Sequence, residues 1–77
     1  MKIHRLASYK DRTIEVVEEI ISDQTSLYHV VLNVRGYPKC WTYNLPDMEQ
    51  AVIHWRWYCQ FYRNKGQDFQ EVHHEAT

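Results

Sequence analysis

Two short constellations in this 77-residue chain have residue types that could bind a metal or catalyse a reaction. The first is the segment EVHHE at 71–75, in which two adjacent histidines stand between two glutamates. Imidazole and carboxylate groups bind transition metals, but a structural zinc site takes about four ligands from ordered positions. The spacing differs from HExxH, and no second cluster supplies the missing ligands. We therefore expect a solvated segment here, with no metal ligand and no cofactor.

The second constellation is a cysteine and a histidine. Cys40 and His29 are predicted on neighbouring strands, where the imidazole could act as a base towards the thiol. No third group is evident to orient them, and a chain this short encloses no substantial pocket. We therefore expect no catalytic residue and no enzymatic activity. Cys40 and Cys59 are the two cysteines, and we expect both to remain reduced, as thiols do in the cytoplasm.

The most aromatic segment, QAVIHWRWYCQFYRN at 50–64, is predicted to be a helix with two apolar faces. The wider face is typical of a surface helix that packs on a core. Cys59 lies within it and is interpreted as a small buried hydrophobe. The members of this core face are Met48, Ala51, Val52, Trp55, Tyr58, Cys59 and Tyr62.

The second apolar face consists of Ile53, Trp57 and Phe61, spaced i, i+4, i+8, with Arg56 and Gln60 at its border. One helix cannot bury both faces against one small sheet. The second face therefore meets the N-terminal segment, the C-terminal tail, a second copy of the chain or a different protein. Three large apolar side chains in water would make a patch of a few hundred Å², and Trp and Arg are enriched in binding hot spots. We predict that these five residues form a partner or dimer interface.

Nucleic-acid binding is the alternative function. Basic residues concentrate near the N-terminus, and aromatic residues of the predicted sheet could stack on bases. However, the formal net charge of −1 argues against binding through bulk electrostatics, and the chain has no RNP-like pattern. The basic residues are Lys2, Arg5, Lys10 and Arg12, and the aromatic residues are Tyr28, Tyr37, Trp41 and Tyr43.

Three glutamates share one predicted strand with apolar residues. The strand contains Glu15, Glu18 and Glu19, and it also offers the apolar residues Val17 and Ile21. They form either an acidic rim that attracts a basic partner or a solvated edge that charge protects from unwanted strand pairing.

Up to four segments are predicted as β-strands. Segment 12–22 fits both a helix and a strand, but its five Val and Ile residues favour a strand. Segments 27–34 and 37–44 have the two-residue alternation of a strand, and Arg35-Gly36 between them predicts a tight turn. One side of the first segment consists of Tyr28, Val30, Leu32 and Val34, and one side of the second consists of Tyr37, Lys39, Trp41 and Tyr43. The N-terminal segment, 1–11, adds either a short strand or a flexible arm.

The helix is predicted to begin at an Asn44 or Asp47 cap and to stop at Gly66. These elements predict an α+β fold: a three- or four-stranded antiparallel meander followed by one long C-terminal helix packed on one sheet face. Residues 1–66 are expected to form a single small domain, and residues 67–77 a mostly flexible polar tail.

Composition places the chain among globular proteins, with 44% hydrophobic and 25% charged residues. No apolar run approaches the ~20 residues of a membrane span, and the N-terminus lacks the apolar region of a secretion signal. In size and predicted layout, without any shared motif, the chain resembles small phage-encoded inhibitor proteins such as some anti-CRISPRs. It resembles small uncharacterised domains of bacterial and mobile-element origin in the same way. We therefore predict a cytoplasmic, homodimeric protein-interaction module that occludes a partner surface and has no membrane partner.

Overall fold

The described part of the chain contains five strands and one helix, the α+β arrangement that the sequence predicts. The computed structural model describes residues 2–40, 42 and 44–72, without the side chain of Cys40. In chain order the elements are β1 (Lys2–Tyr9), β2 (Arg12–Ser22), β3 (Thr25–Val34), β4 (Tyr37–Cys40), α1 (Met48–Asn64) and β5 (Gln70–Val72). The strand order in the sheet is β4-β3-β2-β1-β5, and every neighbouring pair is antiparallel. A meander followed by a helix on one sheet face is therefore confirmed, with β5 as an addition.

The segment that the sequence left open between helix and strand is β2, and it lies at the centre of the sheet. Its alternate residues Ile14 and Val16 are fully buried on the side that α1 covers. Ala7 of β1 and Leu32 of β3 flank Ile14 on either side. Because β2 is paired along both sides, the interpretation of its glutamates as the protection of a solvated edge is wrong.

Arg35 and Gly36 form the tight turn between β3 and β4, as predicted. Their φ angles are 53° and 84°, and two positive φ angles are characteristic of a type I′ hairpin turn. The Arg35 N–H donates to the carbonyl of Asp11 over 2.9 Å. This bond joins the turn to the neighbouring turn between β1 and β2.

β4 is half as long as the predicted strand 37–44. Beyond it, Tyr28 and Leu45 form an isolated bridge in which each N–H donates to the other residue's carbonyl over 3.0 Å. Between these two pairings the N–H of Val30 donates to the Thr42 hydroxyl over 2.7 Å. A side-chain acceptor thus replaces a strand carbonyl where the chain leaves the sheet for the helix.

α1 begins after Asp47, which settles the choice between the two candidate caps. Asp47 Oδ1 accepts a hydrogen bond from the Gln50 N–H over 2.8 Å, and so satisfies one of the free donors of the first turn. No helix in the described part of the chain is long and apolar enough to cross a membrane.

The helix stops before Gly66, as predicted, in a Schellman turn. The Gln67 N–H donates to the Tyr62 carbonyl over 2.9 Å, and the Gly66 N–H donates to the Arg63 carbonyl over 3.0 Å. Gly66 has a φ of 89°, a left-handed conformation that costs other residues about 1–2 kcal/mol. The turn reverses the chain and directs it back to the sheet.

The structure corrects the prediction of a flexible tail from residue 67. Phe69 is fully buried and packs against Tyr9 and Tyr62, with ring centroids 5.6 and 5.9 Å away. The next three residues form β5, which pairs with β1 from Ser8 to Leu6. One buried ring among polar neighbours is the physical reason that this segment is ordered. Residues 73–77 lie outside the described part.

The hydrophobic core lies between α1 and one face of the sheet, here called the inner face. The predicted core face of the helix is confirmed, since all seven of its residues belong to the core or pack against it. The buried core residues are Ala7, Ile14, Val16, Val30, Leu32, Ala51, Trp55, Cys59 and Phe69.

Candidate partner interface

Ile53, Trp57 and Phe61 form a continuous apolar ridge, here called the helix ridge, along the solvent side of α1. Their exposed fractions are 58%, 60% and 39%, although the helix already buries its other apolar face in the core. The spacing of four residues sets them one turn apart on the same side of the helix. The sequence therefore identified the exposed stripe correctly, and its role as an interface stays a prediction.

The rings of the helix ridge are ordered by contact with one another. Trp57 and Phe61 are stacked, with centroids 5.4 Å apart and an interplanar angle of 13°. Tyr58 meets the Trp57 ring edge to face at 5.1 Å, and Tyr62 meets Phe61 in the same way at 5.2 Å. The Lys65 ammonium lies 5.0 Å from the Phe61 centroid, within the range of a cation–π contact. A surface ordered in advance loses less entropy on binding.

A groove of about 550 Å³ runs beside the ridge. Ile53 and Trp57 form its apolar wall, and Arg56 and Gln60 contribute polar groups. On its far side lies Glu71 of β5. Arg56 and Gln60, the two polar residues predicted at the border of the interface, therefore line a groove next to the ridge. The surface thus has a ridge and a groove side by side.

Two side-chain hydrogen bonds order the C-terminal part of this groove. Gln60 Nε2 donates to Asn64 Oδ1 over 2.9 Å. Arg63 Nε donates to the carbonyl of Phe69 over 2.8 Å, so this guanidinium holds the start of β5 against the end of the helix. The groove is thus built from both α1 and the strand that the sequence did not predict.

The described residues do not cover the helix ridge. The sequence left open whether the N-terminal segment, or the tail anchored by Phe69, would fold over it. The N-terminal segment is instead β1, and Phe69 is in the core beneath the helix. For the described residues, the interpretation that the N-terminal segment or the tail covers the helix ridge is therefore wrong.

The four basic residues of the nucleic-acid alternative are not brought together. Lys2 and Lys10 lie at opposite ends of β1 and its turn, about 26 Å apart along an extended chain. Arg5 donates to the carbonyl of His4 over 3.0 Å, and Arg12 donates to Gln67 Oε1 over 3.0 Å. The basic charge is divided between two ends of the sheet.

The predicted aromatic stacking platform is also divided. Tyr28 packs against the core on the inner face, whereas Tyr37 on β4 is largely exposed. Trp41 and Tyr43 lie outside the described residues. The described aromatic residues of the sheet therefore form no shared surface on which bases could stack.

Cys59 behaves as the small buried hydrophobe that the sequence indicates. It is a free thiol in the core, and burial raises its pKa from 9.0 to about 11. A thiol with a raised pKa is a poor nucleophile because little thiolate forms near neutral pH. The other candidate nucleophile, the Cys40 side chain, and the tail histidines His73 and His74 lie outside the described part. Within that part no group of three His, Cys, Asp or Glu side chains could hold a metal ion.

The three glutamates of β2 separate onto the two sides of the sheet. Glu18 lies on the inner face, and its carboxylate is 2.7 Å from His4 Nε2. A hydrogen bond from Ser26, and then the one from His4, lowers the pKa of this carboxyl group. Glu15 and Glu19 lie on the opposite side, here called the outer face, which α1 does not cover.

The sequence offered the glutamates of β2 as an acidic rim for a basic partner, but it did not identify a groove on the outer face. This face contains a groove of about 490 Å³ formed mainly by β2 and β3. The signal was the alternation of Glu15, Val17 and Glu19, but its meaning depends on the central position of β2, which the sequence does not show. No family model matches this chain, and neither a curated protein nor a solved structure matches it.

Proposed function

We propose that this chain is a small non-catalytic protein-interaction module that works through the helix ridge and pairs with a second copy of itself. The observation that carries the proposal is the exposed, ordered stack of Trp57 on Phe61. Its exposure adds nothing to the stability of a monomer. Burial against a partner would gain about 25 cal/mol for each Å² of apolar surface removed from water.

Self-association is supported by the presence of a ridge and a groove side by side on one surface. Residues spaced i, i+4, i+8 form a ridge that can pack into the groove of a facing helix, with axes crossing near −50°. A twofold axis would place the ridge of each copy in the groove of the other. Trp57 would then lie near the centre of the interface, where hot-spot residues cluster.

The area required for a stable dimer includes the polar border of the ridge. A standard interface buries about 800 Å² on each partner, whereas the three apolar side chains expose a few hundred Å². Arg56 and Gln60 line the adjoining groove and would supply part of the remaining area. They belong to the proposed interface for this reason.

We infer further that the module acts by occluding the surface of a target protein, as an inhibitor in the cytoplasm. The support for inhibition is the size and layout of the fold, in which the chain resembles small phage-encoded inhibitors. The support for the compartment is the free thiol of Cys59, because thiols stay reduced in the cytosol.

Sedimentation velocity of the variant Trp57→Glu tests the dimer. The wild type should sediment as a dimer at micromolar concentration, and the variant as a folded monomer, because an unpaired carboxylate at the centre of an interface costs several kcal/mol. Tyr37→Glu is the matched control, since it places the same charge at an exposed aromatic position on β4 and should leave the dimer intact. A monomeric wild type, or equal dissociation of both variants, would show that the ridge is not the dimer interface.

A salt titration tests the nucleic-acid alternative. Binding through phosphate contacts by Lys2, Arg5, Lys10 and Arg12 would weaken steeply with the logarithm of salt concentration. We expect no such binding of single- or double-stranded DNA or RNA at 150 mM salt, a condition on the order of physiological ionic strength. Salt-dependent binding that falls on mutation of these four residues would support the alternative.

A further inference from the structure

The outer face of the sheet carries a groove that nothing in the described part of the chain covers. On β2 the groove is lined by Glu15, Val17 and Glu19, and on β3 it is lined by His29, Val31 and Asn33. Val17 lies opposite His29 and Glu15 opposite Val31. Antiparallel sheets commonly have one solvated face, but a solvated face does not usually present an apolar groove.

The floor of this groove is apolar. Val17 is only 5% exposed, although α1 packs on the other side of the sheet. On β3, His29 lies directly opposite Val17 and Val31 lies diagonally across from it, and Pro38 of β4 lies at the end of the groove. An apolar floor between polar rims suits a single extended segment, because alternate side chains of such a segment lie on one side.

The charge on this face has one sign. Strand alternation assigns two carboxylates, Glu15 and Glu19, to the outer face. It assigns no Lys or Arg of the described strands to the same face, because the four such residues, Lys2, Arg5, Arg12 and Lys39, pair with inner-face residues of the neighbouring strands. Such a face attracts cations and repels polyanions such as nucleic acid.

The polar groups of the rim are partly ordered in advance. Glu15 Oε2 accepts hydrogen bonds from the Thr13 hydroxyl over 2.7 Å and from Asn33 Nδ2 over 2.6 Å. Both donors are neutral groups, so these two bonds place no positive charge beside the carboxylate. Its second oxygen, Oε1, takes part in neither of these bonds.

The other end of the rim is held more loosely. Glu19 Oε1 is 3.5 Å from His29 Nε2, which is too long for a strong hydrogen bond, and Glu19 has a side chain that is 43% exposed. His29 Nδ1 is buried and has no hydrogen-bond partner among the described residues. An unpaired buried polar atom is uncommon in folded proteins, and here it belongs to the ring whose other nitrogen, Nε2, faces the partly exposed Glu19 carboxylate.

We propose that the outer-face groove binds an extended basic segment of a partner protein, with two cationic side chains four residues apart and an apolar residue midway between them. Residues i, i+2 and i+4 of an extended chain lie on one side, and the outer two are about 13 Å apart. Glu15, Val17 and Glu19 have the same spacing on β2. Each cation would meet a carboxylate, and the apolar residue would meet Val17.

The probe is the capped pentapeptide Lys-Ser-Val-Ser-Lys, titrated against the ¹⁵N-labelled protein by NMR. We expect weak, saturable shifts at the amides of Val17, Val31 and Asn33, and none along the helix ridge. The capped peptide Lys-Lys-Ser-Val-Ser has the same composition with another spacing and should bind several-fold more weakly. Glu-Ser-Val-Ser-Glu should not bind.

The test variant is Glu19→Gln, with Glu49→Gln on α1 as its control. Exposed ion pairs contribute little individually, so we expect Glu19→Gln to weaken binding of the lysine peptide about two- to fivefold and Glu49→Gln to leave it unchanged. Equal weakening by both variants, or equal binding of the glutamate peptide, would overturn the proposal.

The variant Trp57→Glu separates this proposal from the function proposed for the helix ridge. It should bind the lysine peptide as the wild type does, because the two surfaces lie on opposite sides of the domain. The peptide could instead bind the outer-face groove only in Trp57→Glu. That result would mean that the helix ridge of a second copy occupies the outer-face groove in the wild type. A foreign basic segment would then be excluded as its occupant.

Discussion

Trp55 Nε1 donates a hydrogen bond to the backbone carbonyl of Ile14 over 2.8 Å. This buried bond joins the middle of α1 to the central strand β2, across 41 residues of sequence. Trp55 is 3% exposed, whereas Trp57, two residues later on the same helix, is 60% exposed. The pair provides an internal comparison between a tryptophan that holds the fold and one that is available to a partner.

Replacing Trp55 should unfold the domain or nearly so. Trp55→Ala should lower the free energy of unfolding by about 3–5 kcal/mol through cavity formation, out of roughly 4–12 kcal/mol for a domain of this size. Trp55→Phe removes the hydrogen bond to the buried Ile14 carbonyl and also part of the buried ring volume, and it should cost about 1–3 kcal/mol. Urea denaturation followed by circular dichroism measures both values.

Trp57→Ala is the control for the Trp55 variants. It should change the free energy of unfolding of the monomer by less than about 1 kcal/mol, because surface substitutions have small effects. A larger effect of Trp57→Ala than of Trp55→Ala would mean that the two faces of α1 are assigned the wrong way round.

Phe69 should contribute as much to stability as a residue of the meander, despite its place in a polar segment. Its ring is fully buried between Tyr9 and Tyr62, so Phe69→Ala should cost about 3–5 kcal/mol. Val72→Ala, at a partly exposed position of β5, should change the free energy of unfolding by less than about 1 kcal/mol. Thermal melts of the two variants, compared at equal concentration, distinguish an anchored β5 from the freely moving tail that the polar composition suggests.

The local patterns of the sequence predicted the elements whose apolar residues repeat. Val30 and Leu32 on β3 lie two residues apart on one side of the strand, and the core face of α1 is continuous over four turns, so both elements were predicted correctly. β5 has no such repeat, because Phe69 alone supplies its burial. Its anchoring depends on Tyr9, which lies 60 residues earlier in the chain. A local sequence pattern cannot predict a contact between residues so far apart in the chain.

The candidate surfaces were predictable to different extents. The spacing of Ile53, Trp57 and Phe61 is visible in the sequence, but whether another segment covers them depends on where β1 and Phe69 pack. Whether Glu15 and Glu19 lie at a sheet edge or on the face of a central strand depends on which strands pair with β2. Strand order is a tertiary property, and for this reason a groove on the outer face of a central strand was mistaken for a possible edge.

Cys59 should resist thiol reagents as long as the domain is folded. At pH 8 a pKa of about 11 instead of 9.0 lowers the thiolate fraction about a hundredfold, and burial limits access as well. In a Cys40→Ser background, the reaction with Ellman's reagent should therefore be at least about a hundredfold slower in buffer than in denaturing urea. Rapid modification in buffer, at the rate of the unfolded chain, would contradict a core position for this thiol.

The raised pKa of Cys59 also predicts the direction of a pH effect on stability. The unfolded chain loses the thiol proton first as the pH rises, so the contribution of Cys59 is fully present below pH 9 and is lost between about pH 9 and 11. Other groups titrate in this window, and the informative quantity is therefore the difference from Cys59→Ala. The stability of the wild type should fall more steeply with pH than that of the variant, and parallel curves would contradict the prediction.

Trp57 fluorescence should report burial of the helix ridge as the protein self-associates. In a monomer the indole of Trp57 is largely exposed, and iodide should quench it readily. At concentrations at which the dimer forms, the indole should be shielded at the centre of the interface, and the quenching constant should fall with protein concentration. The variant Trp57→Phe keeps an aromatic ring on the ridge and retains Trp41 and Trp55, so its quenching should not depend on the formation of the dimer. If the wild type is quenched equally at all concentrations while sedimentation shows a dimer, the two copies meet through another surface and the ridge remains open for a different partner.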